Sequence, residues 1–398
     1  MSDTLKGILL ALILIAALLV LLIVFTNDDP PEEEPGFTGP GGIIVPPLEE
    51  PDDEDDVIED EPDVIHGSGE TPYGVFYRGR LELPVFGATG WAATGLVLRS
   101  EARANSERVM NLNPGDVFTI FDEENDWWFV ILPSEVSGWV ESSRCFINLP
   151  DVIPSIVYQI SNAMSSEFRS SGFELPGITH NSLYQASAFN ERLDRFEYVV
   201  PGSYALAQAL FAVQQLALSN DETLVIYEVF RPMETQRAVA ASLNRLMDRN
   251  DAEFNDTVYR AITNSQWSVG NFISQGRSNH QLGAALDVTI GIVDEKETKQ
   301  TGDYLFYYIR DHSRVQEPSP MHELSPRAAL PSRSAATESD IDERIWKMKS
   351  YFEVFGFRPI TSEWWHFNHI ASVSRGTSVG ITGNFFTPDI HSIPPEKR

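Results

Sequence analysis

The length, composition and charge of the chain argue against several classes of protein. With 398 residues, of which 42% are apolar and which include 8 Trp and 23 Phe, the chain is long enough for two folded units and their connectors. The formal net charge of −29 argues against a partner that is held by neutralising phosphates, so no nucleic acid is expected. The single cysteine, Cys145, excludes an internal disulfide framework and a metal site made of several cysteines.

The first 25 residues predict a membrane anchor. Residues 7–25 form an uncharged apolar run, which as a helix spans about 28 Å, close to the hydrocarbon thickness of a bilayer. Lys6 precedes the run and no basic residue follows it before Arg78. Residues 1–6 are therefore predicted to be a cytoplasmic stub, and the body of this single-pass protein is predicted to lie outside the cell. A cleaved signal peptide is the alternative, but no small-x-small cleavage site follows the run.

An acidic, proline-rich stalk is predicted for residues 26–72. Sixteen Asp and Glu residues lie between residues 28 and 63, with no Lys or Arg among them. Such a segment buries too little apolar surface to offset the entropy of ordering it, and its like charges extend it. We predict a disordered spacer, with binding of calcium or of a cationic protein as the alternative.

A small all-β barrel is predicted for residues 73–150. Turn signals such as Asn-Pro-Gly at 113–115 separate short strands at 97–100, 117–121, 128–132 and 138–140. The order G-L-V-L-R-S, L-N-P-G-D-V, W-W-F-V and G-W-V-E-S-S resembles the bacterial SH3-like domains of cell-wall proteins. That resemblance implies binding of wall peptides. The alternative is a spacer barrel whose core is filled by Trp127, Trp128 and Trp139.

Residues 151–375 predict an α+β domain with a small antiparallel sheet, followed by a C-terminal tail over residues 376–398. Helical periodicity alternates with few strands, and no βαβ repeat occurs. Residues 294–339 are rich in Ser, Pro, Ala and charge and predict an insert, which is a lid, a partner-binding segment or a disordered loop. Three histidines are expected to lie in solvent: His312, His322 and His369.

Two short motifs carry side chains of the kind that hold a catalytic zinc. S-N-H-Q-L-G-A-A-L-D contains His280 and Asp287, and E-W-W-H-F contains Glu363 and His366. A hydrolytic zinc site needs three protein ligands, an open position and a nearby base. Gly283 permits the sharp turn that brings the ends of the first motif together. Taken singly, each residue has a structural alternative, such as a hydrogen-bonded histidine or a turn aspartate.

The paired motifs S-x-H-x-x-G-x-A-x-D and E-x-W-H resemble those of the zinc D-alanyl-D-alanine peptidases of the vancomycin-resistance type. The resemblance covers roughly residues 155–372 and implies an α+β zinc D,D-peptidase domain. It implies that Zn²⁺ is bound by three ligands, with Glu363 as the general base. It further implies that Arg231, in Y-E-V-F-R-P, stabilises the carbonyl oxygen. The implied zinc ligands are His280, Asp287 and His366.

The residues implied or predicted to bind substrate are Ser278, Gln236 and Trp365. For Gln236 a helix-surface position is the alternative, and for Trp365 the alternative is packing against the sheet. The interval from Asp287 to Glu363 is longer than the family pattern, which is why an insert is predicted there.

The sequence therefore predicts a membrane-anchored extracellular zinc D-alanyl-D-alanine carboxypeptidase. Its substrate would be peptidoglycan stem peptides ending in D-Ala-D-Ala, which occur outside the cell, whereas free D-Ala-D-Ala is a cytoplasmic precursor. One alternative is a D-Ala-D-Ala dipeptidase or another peptidoglycan peptidase of the same fold. The other is a non-catalytic wall-binding or sensor protein.

Overall fold

The computed structural model describes most of the chain beyond residue 73. The described ranges are residues 74–159, 167–170, 172–180, 187–263, 268–329, 341–387 and 389–397. All described residues belong to one compact unit. The stub, anchor and stalk predicted for residues 1–72 lie outside the described residues.

The described residues form two large sheets, two small sheets of two strands each (β10 with β11, and β12 with β13) and several helices. The strands are β1 (Val75–Phe76), β2 (Thr89–Ala92), β3 (Leu96–Arg99), β4 (Arg108–Leu112), β5 (Val117–Glu124), β6 (Trp127–Ile131), β7 (Ser137–Glu141), β8 (Cys145–Asn148), β9 (Val157–Tyr158), β10 (Arg169–Ser170), β11 (Phe173–Glu174), β12 (Ser187–Asn190), β13 (Arg195–Tyr198), β14 (Pro201–Ser203), β15 (Glu222–Glu228), β16 (Ala285–Thr301), β17 (Tyr304–Arg314), β18 (Phe357–Pro359) and β19 (His366–His369). The α-helices are α1 (Leu149–Val152), α2 (Tyr204–Leu218), α3 (Met233–Met247), α4 (Asp256–Thr263), α5 (Glu343–Val354) and α6 (Ile370–Ser378). Short 3-10 helices lie at Ser142–Arg144, Val269–Asn271, Asn279–Leu282 and Pro326–Ala328.

The first sheet is antiparallel and follows the predicted barrel strands. Its eight strands lie in the order β14-β8-β2-β5-β6-β7-β3-β4, and β3, β5, β6 and β7 coincide with the four predicted strands. Side chains of β6 alternate between half-buried and buried, as expected of a strand with one face on a core. Trp128 is fully buried, whereas Trp127 and Trp139 are half-buried, so one of the three tryptophans fills the core.

The second sheet is larger and more mixed than the small antiparallel sheet that the sequence predicts. Its seven strands include the path β1-β17-β16-β15-β9, and β19 pairs with both β16 and β18. The pairs β1–β17 and β15–β9 are parallel, and the others are antiparallel. Parallel neighbours need a crossover connection, and α2 lies in the connection between β9 and β15. Local periodicity does not reveal such pairings because the partners are far apart in sequence.

A long β-hairpin occupies the first half of the predicted insert. Strand β16 has 17 residues and β17 has 11, and they pair from Gly291–Arg314 to Thr301–Tyr304. The turn contains Gly302, which has a φ of +50°. The predicted insert over residues 294–339 is therefore a continuation of the sheet as far as residue 314, and its end beyond residue 329 lies outside the described residues.

The predicted fold class needs a correction at its membrane-spanning element. Among the described helices, none is long and apolar enough to cross a bilayer. The longest, α2 and α3, have 15 residues each and reach about 22 Å, whereas a bilayer core measures about 30 Å. The apolar run at residues 7–25 lies outside the described residues. Over the described residues, the fold is an α+β unit with its SH3-like sheet and contains no transmembrane helix.

The C-terminal segment lies along the first sheet. The Trp91 indole N–H donates to the Asp389 carbonyl at 3.1 Å, and the Thr119 hydroxyl donates to the His391 carbonyl at 2.6 Å. The Ile393 amide donates to the Gly87 carbonyl at 2.8 Å. These contacts join the predicted tail to residues of the predicted barrel, so the two parts of the chain fold against each other.

Gly283 allows the motif S-N-H-Q-L-G-A-A-L-D to pack closely against Phe146 of the first sheet. Gly283 has a φ of +58°, and a Cβ there would lie 2.7 Å from the ring of Phe146. Phe146 is itself fully buried against Phe230 and Phe385, so the ring cannot move aside. The left-handed backbone and the close approach both require glycine.

We expect Gly283→Ala to lower the free energy of unfolding by about 2 kcal/mol or more, since left-handed strain and overpacking add. Gly95→Ala is the matched control, because no atom lies within 4 Å of the Cβ that it would add. Denaturant unfolding of the full-length variants measures the difference. Equal stability of the two variants would contradict this account of Gly283.

A buried carboxyl group makes the stability of the fold pH-dependent. Glu82 accepts hydrogen bonds from the Ser155 hydroxyl, the Ser155 amide at 3.0 Å and the Gln215 side chain at 2.8 Å. Burial raises the pKa of Glu82 from 4.5 to about 7, although these hydrogen bonds oppose the shift. Between these two pH values the unfolded chain loses the proton while the folded chain keeps it.

Stability should therefore fall as pH rises through this window, by up to about 3 kcal/mol. The variant Glu82→Gln lacks this pH-dependent contribution. The difference between its melting temperature and that of the wild type should therefore shift in favour of the variant as pH rises from 5 to 8. Thermal unfolding across this range measures the effect, with Glu353→Gln on the exposed side of α5 as the control. Parallel profiles for Glu82→Gln and the wild type would refute the assignment.

Candidate metal centre

A 3-10 helix and two strands of the second sheet bring the predicted ligands together. His280 lies in the 3-10 helix Asn279–Leu282, which is capped by Ser278 at its N-terminus and by the left-handed Gly283 at its C-terminus. Asp287 lies near the start of β16, and His366 opens β19. These two strands pair with Asp287 directly opposite His366. The turn at Gly283 then folds His280 back over both.

The three side chains form a compact, buried group that could hold a metal ion. Their ligand atoms all lie within 4.8 Å of one another. His366 Nδ1 is 3.1 Å from Asp287 Oδ1 and 3.2 Å from His280 Nε2, and His280 Nε2 is 3.5 Å from Asp287 Oδ1. Two imidazoles and one carboxylate, with room for a further ligand, are a donor set that binds zinc.

Hydrogen bonds behind the ligands fix which ring nitrogen faces the ion. His280 Nδ1 donates to the Val229 carbonyl at 2.8 Å, which leaves Nε2 free. His366 Nε2 donates to Asn368 Oδ1 at 3.1 Å, which leaves Nδ1 free. The same Asn368 oxygen accepts from Asn279 Nδ2 at 2.8 Å, so its orientation is set as well. Such contacts behind the ligands orient them before the metal binds.

Charge balance at the site also favours a divalent cation. Glu228, Asp287 and Glu363 are buried within a few side chains of one another, together with the guanidinium of Arg231. Glu228 and Asp287 against one guanidinium leave one formal negative charge, and ionisation of Glu363 would add a second; buried charge that is not compensated is costly. Glu228 Oε1 is buried without a hydrogen-bond partner. A bound dication would neutralise the group, so the residues fit zinc in charge as well as in ligand type.

Glu363 lies beside the ligands in the loop that precedes β19. Its Oε2 is 3.8 Å from His366 Nδ1. Burial raises the pKa of Glu363 to about 8, while the His366 charge lowers it and the Asp287 charge raises it. Burial also favours the neutral form of Asp287, but the charge of His280 and hydrogen bonds from the surrounding imidazoles outweigh it and keep the pKa of Asp287 well below its ordinary value. The two carboxyl groups therefore differ in proton affinity.

Arg231 follows β15 and reaches the same site. Its Nε and Nη2 donate to Glu228 Oε2, its Nη1 donates to Gln236 Oε1 at 2.6 Å, and its Nη2 lies 3.7 Å from Asp287 Oδ2. Of the five N–H groups of a guanidinium, these hydrogen bonds use three. Gln236 also donates to the Ser274 carbonyl at 2.8 Å, so both ends of its amide are held by the protein.

A cavity of about 500 Å³ opens onto the metal centre. Ser278 caps the 3-10 helix by accepting from the His280 amide, and Trp365 is buried in the cavity wall, whereas Trp364 points into the core and donates to Ser319. The cavity is lined by every residue that the sequence singled out for the site, namely Arg231, Gln236, Ser278, His280, Asp287, Glu363, Trp365 and His366.

His322 is a site residue that the sequence analysis placed wrongly in solvent. Its side chain is fully buried, and its Nε2 lies 3.2 Å from Asp287 Oδ2, the oxygen that faces away from His280 and His366. Its ring packs against Phe168 at 4.9 Å and against Trp365 at 5.9 Å. Nothing in M-H-E-L-S-P signals this position, because the segment lacks strand or helix periodicity.

His369 is also buried rather than solvated, with its Nδ1 2.7 Å from the Ser372 hydroxyl. Glu228 is a further residue that the sequence analysis did not single out. It is a charged side chain in an otherwise mainly apolar strand, three residues before Arg231. A charged residue in such a strand, so close to Arg231, was the sequence signal that could have identified Glu228.

Comparisons with known proteins agree with both resemblances. Residues 94–144 match the family model of the bacterial SH3 domain. Over 168 residues, which are 42% of this chain and 72% of the relative, the chain is 23% identical to a D-alanyl-D-alanine dipeptidase of Enterococcus faecium. A crystal structure of a mutant of the vancomycin resistance D,D-pentapeptidase VanY in complex with Zn(II) aligns with 56% of this chain and 91% of its own, at 11% identity and a TM-score of 0.24.

The similarity to the dipeptidase and the SH3 match confirm the two resemblances that the motifs predicted. The buried His–Asp–His group fits the predicted Zn²⁺. Together these observations indicate a metal-dependent hydrolase.

We expect His322→Ala to weaken zinc binding about 10- to 100-fold, because Asp287 loses the contact that orients its outer oxygen. His322→Gln, which keeps a donor near that oxygen, should recover part of the loss. His312→Ala, on the β-hairpin, is the control. Competition with a chromophoric chelator measures the affinity, and zinc binding of His322→Ala at the wild-type level would rule out this role.

Proposed function

We propose that the protein is a zinc D-alanyl-D-alanine carboxypeptidase, which removes the terminal D-Ala from peptidoglycan stem peptides. The observation that carries the proposal is the convergence of three metal ligands, Glu363 and Arg231 on one cavity. The cavity of about 500 Å³ falls within the range of about 300–1,000 Å³ that is usual for ligand-binding pockets. The similarity to a D-alanyl-D-alanine dipeptidase supports the substrate class.

The zinc would be held by His280 Nε2, Asp287 Oδ1 and His366 Nδ1, and when bound it supplies Lewis acidity and an acidified water. Glu363, 3.8 Å from a ligand nitrogen, is placed to accept the proton of the attacking water and to deliver it to the departing amine. Its raised proton affinity suits a group that must both take up and return a proton.

Arg231 is placed to stabilise the oxyanion that forms at the scissile carbonyl. Its guanidinium is held on three sides by Glu228 and Gln236, which leaves two N–H groups for the substrate. A donor that is fixed before the reaction needs no reorganisation as negative charge develops. Gln236 therefore acts chiefly by positioning Arg231, and Ser278 and Trp365 shape the wall against which the peptide lies.

A D-Ala-D-Ala dipeptidase is the second candidate, and the similarity to a protein of that name favours it. A wall-binding or sensor protein without activity would not need Glu363 and Arg231 beside a complete ligand set. We place the enzyme outside the cytoplasm, where stem peptides of the wall occur. The match of residues 94–144 to the bacterial SH3 domain supports this placement.

The products of one digestion separate these candidates. The full-length protein is incubated with a pentapeptide ending in D-Ala-D-Ala and with the free dipeptide, and products are identified by mass spectrometry with and without chelator. The carboxypeptidase releases single D-Ala from the pentapeptide, in a reaction that the chelator stops. Cleavage of the free dipeptide alone would establish the dipeptidase, and an internal cut would establish another peptidase of the same fold.

We expect Glu363→Gln to lower the turnover rate by about 10²- to 10⁴-fold while zinc content stays unchanged, because Glu363 shuttles the proton but is not a ligand. Glu222→Gln is the matched control, since Glu222 is equally buried but is bonded to Tyr351 and Lys347 outside this cavity. Metal analysis and turnover on the same samples test this expectation. Full activity in Glu363→Gln would remove Glu363 from the mechanism.

A further inference from the structure

A second cavity lies between the first sheet and the helices α2 and α6. Its volume is about 630 Å³, and none of its lining residues also lines the metal cavity. Its walls come from the segment after β1, from β5 and the turn that follows it, and from the beginning of α2 and the end of α6. The lining residues that could bind a polar ligand include Tyr77, Arg80, Glu123, Asp126, Tyr204 and Arg375.

We propose that this cavity is a second binding site for a peptide that carries a free carboxylate together with an amino group. A peptidoglycan stem peptide has this chemistry, and its choice as the ligand rests on the proposed function. In this assignment the cavity retains the wall polymer and performs no reaction. Cavities at the junction of two folded parts are common places for such sites.

The acceptor for the amino group is Glu123. Its Oε2 accepts from the Tyr204 hydroxyl at 3.0 Å, and its Oε1 accepts from the Trp128 indole N–H at 3.4 Å. The Tyr204 ring stands edge-on to Trp128 with ring centroids 5.0 Å apart, so the donors are themselves fixed. An ionised carboxylate can accept about four hydrogen bonds. Glu123 is therefore oriented by the protein and still able to accept from a ligand.

The donors for the carboxylate are Arg80 and Arg375. Arg375 Nη2 lies 3.8 Å from Glu141 Oε1, beyond hydrogen-bond distance, and Arg144 holds the other oxygen of Glu141 at 2.8 Å. Arg80 has no ion pair with any residue that the structure describes, and it is exposed at the rim of the cavity. Both guanidiniums thus keep N–H groups for a planar anion, which arginine binds with two parallel hydrogen bonds.

The mixed charge of the lining disfavours other ligands. A neutral glycan would leave both guanidiniums without an anion. A nucleic acid would be repelled by Glu123 and Asp126, and by a chain with a net charge of −29. A peptide with both an amine and a carboxylate can bind Glu123 through its amine and Arg80 and Arg375 through its carboxylate.

Calorimetric titration of the full-length protein with the tripeptide L-Ala-γ-D-Glu-L-Lys tests the proposal. The probe lacks D-Ala-D-Ala, so the enzyme does not consume it. We expect one-to-one binding by the wild type, and a dissociation constant raised about tenfold or more in Arg375→Gln and in Glu123→Gln. Arg310→Gln on β17 is the matched control, because Arg310 and Arg375 are each 52% exposed and each lies beside a carboxylate, at 3.4 Å from Glu297 and 3.8 Å from Glu141 respectively. The Arg310→Gln variant should bind the tripeptide with the wild-type dissociation constant.

Three results would overturn the proposal. They are the absence of wild-type binding up to about 10 mM tripeptide, binding by Arg375→Gln at the wild-type level, and preference for the neutral disaccharide N,N′-diacetylchitobiose. The release of D-Ala is measured separately. Arg375-dependent binding without cleavage of the pentapeptide would keep the second site and refute the proposed activity.

Discussion

Buried negative charge is the constraint on which the metal centre depends. Glu228, Asp287 and Glu363 converge around one guanidinium, and burying unpaired carboxylates opposes folding. A dication removes the excess and uses Asp287 as a ligand. The metal would therefore contribute to the stability of this region as well as to the chemistry, since binding to the folded state alone stabilises it.

The arrangement is built on one strand. Asp287 in β16 lies opposite Glu228 of β15 on one side and opposite His366 of β19 on the other. A shift of one residue in either pairing would turn Asp287 to the other face of the sheet. The apolar residues of β15, which are buried throughout, fix the register on one side. The precision of the metal centre thus derives from hydrophobic packing of the sheet beneath it.

How much could be predicted from the sequence depended on whether a signal was local. His280, Asp287, Glu363 and His366 stand in two short motifs, and β3, β6 and β7 of the first sheet alternate between buried and more exposed positions, so both features were predictable. His322 reaches Asp287 from 35 residues away in a segment without periodicity. The hairpin of β16 and β17 was missed because residues 294–301 of β16, DEKETKQT, are polar on both faces and show no strand alternation.

The second cavity lies close enough to the metal centre for one polymer to occupy both sites, which a short free peptide could not do. The chain passes from His366 through β19 into α6, where Arg375 lines the second cavity. At about 3.3 Å per strand residue and 1.5 Å per helix residue, the two Cα atoms are at most about 20 Å apart. The Ser203 and Ser372 hydroxyls, 2.7 Å apart, tie α6 to the start of α2. A polymer held at one site therefore presents its neighbouring stem peptides to the other at high effective concentration, so retention favours polymer over free peptide without altering the catalytic groups.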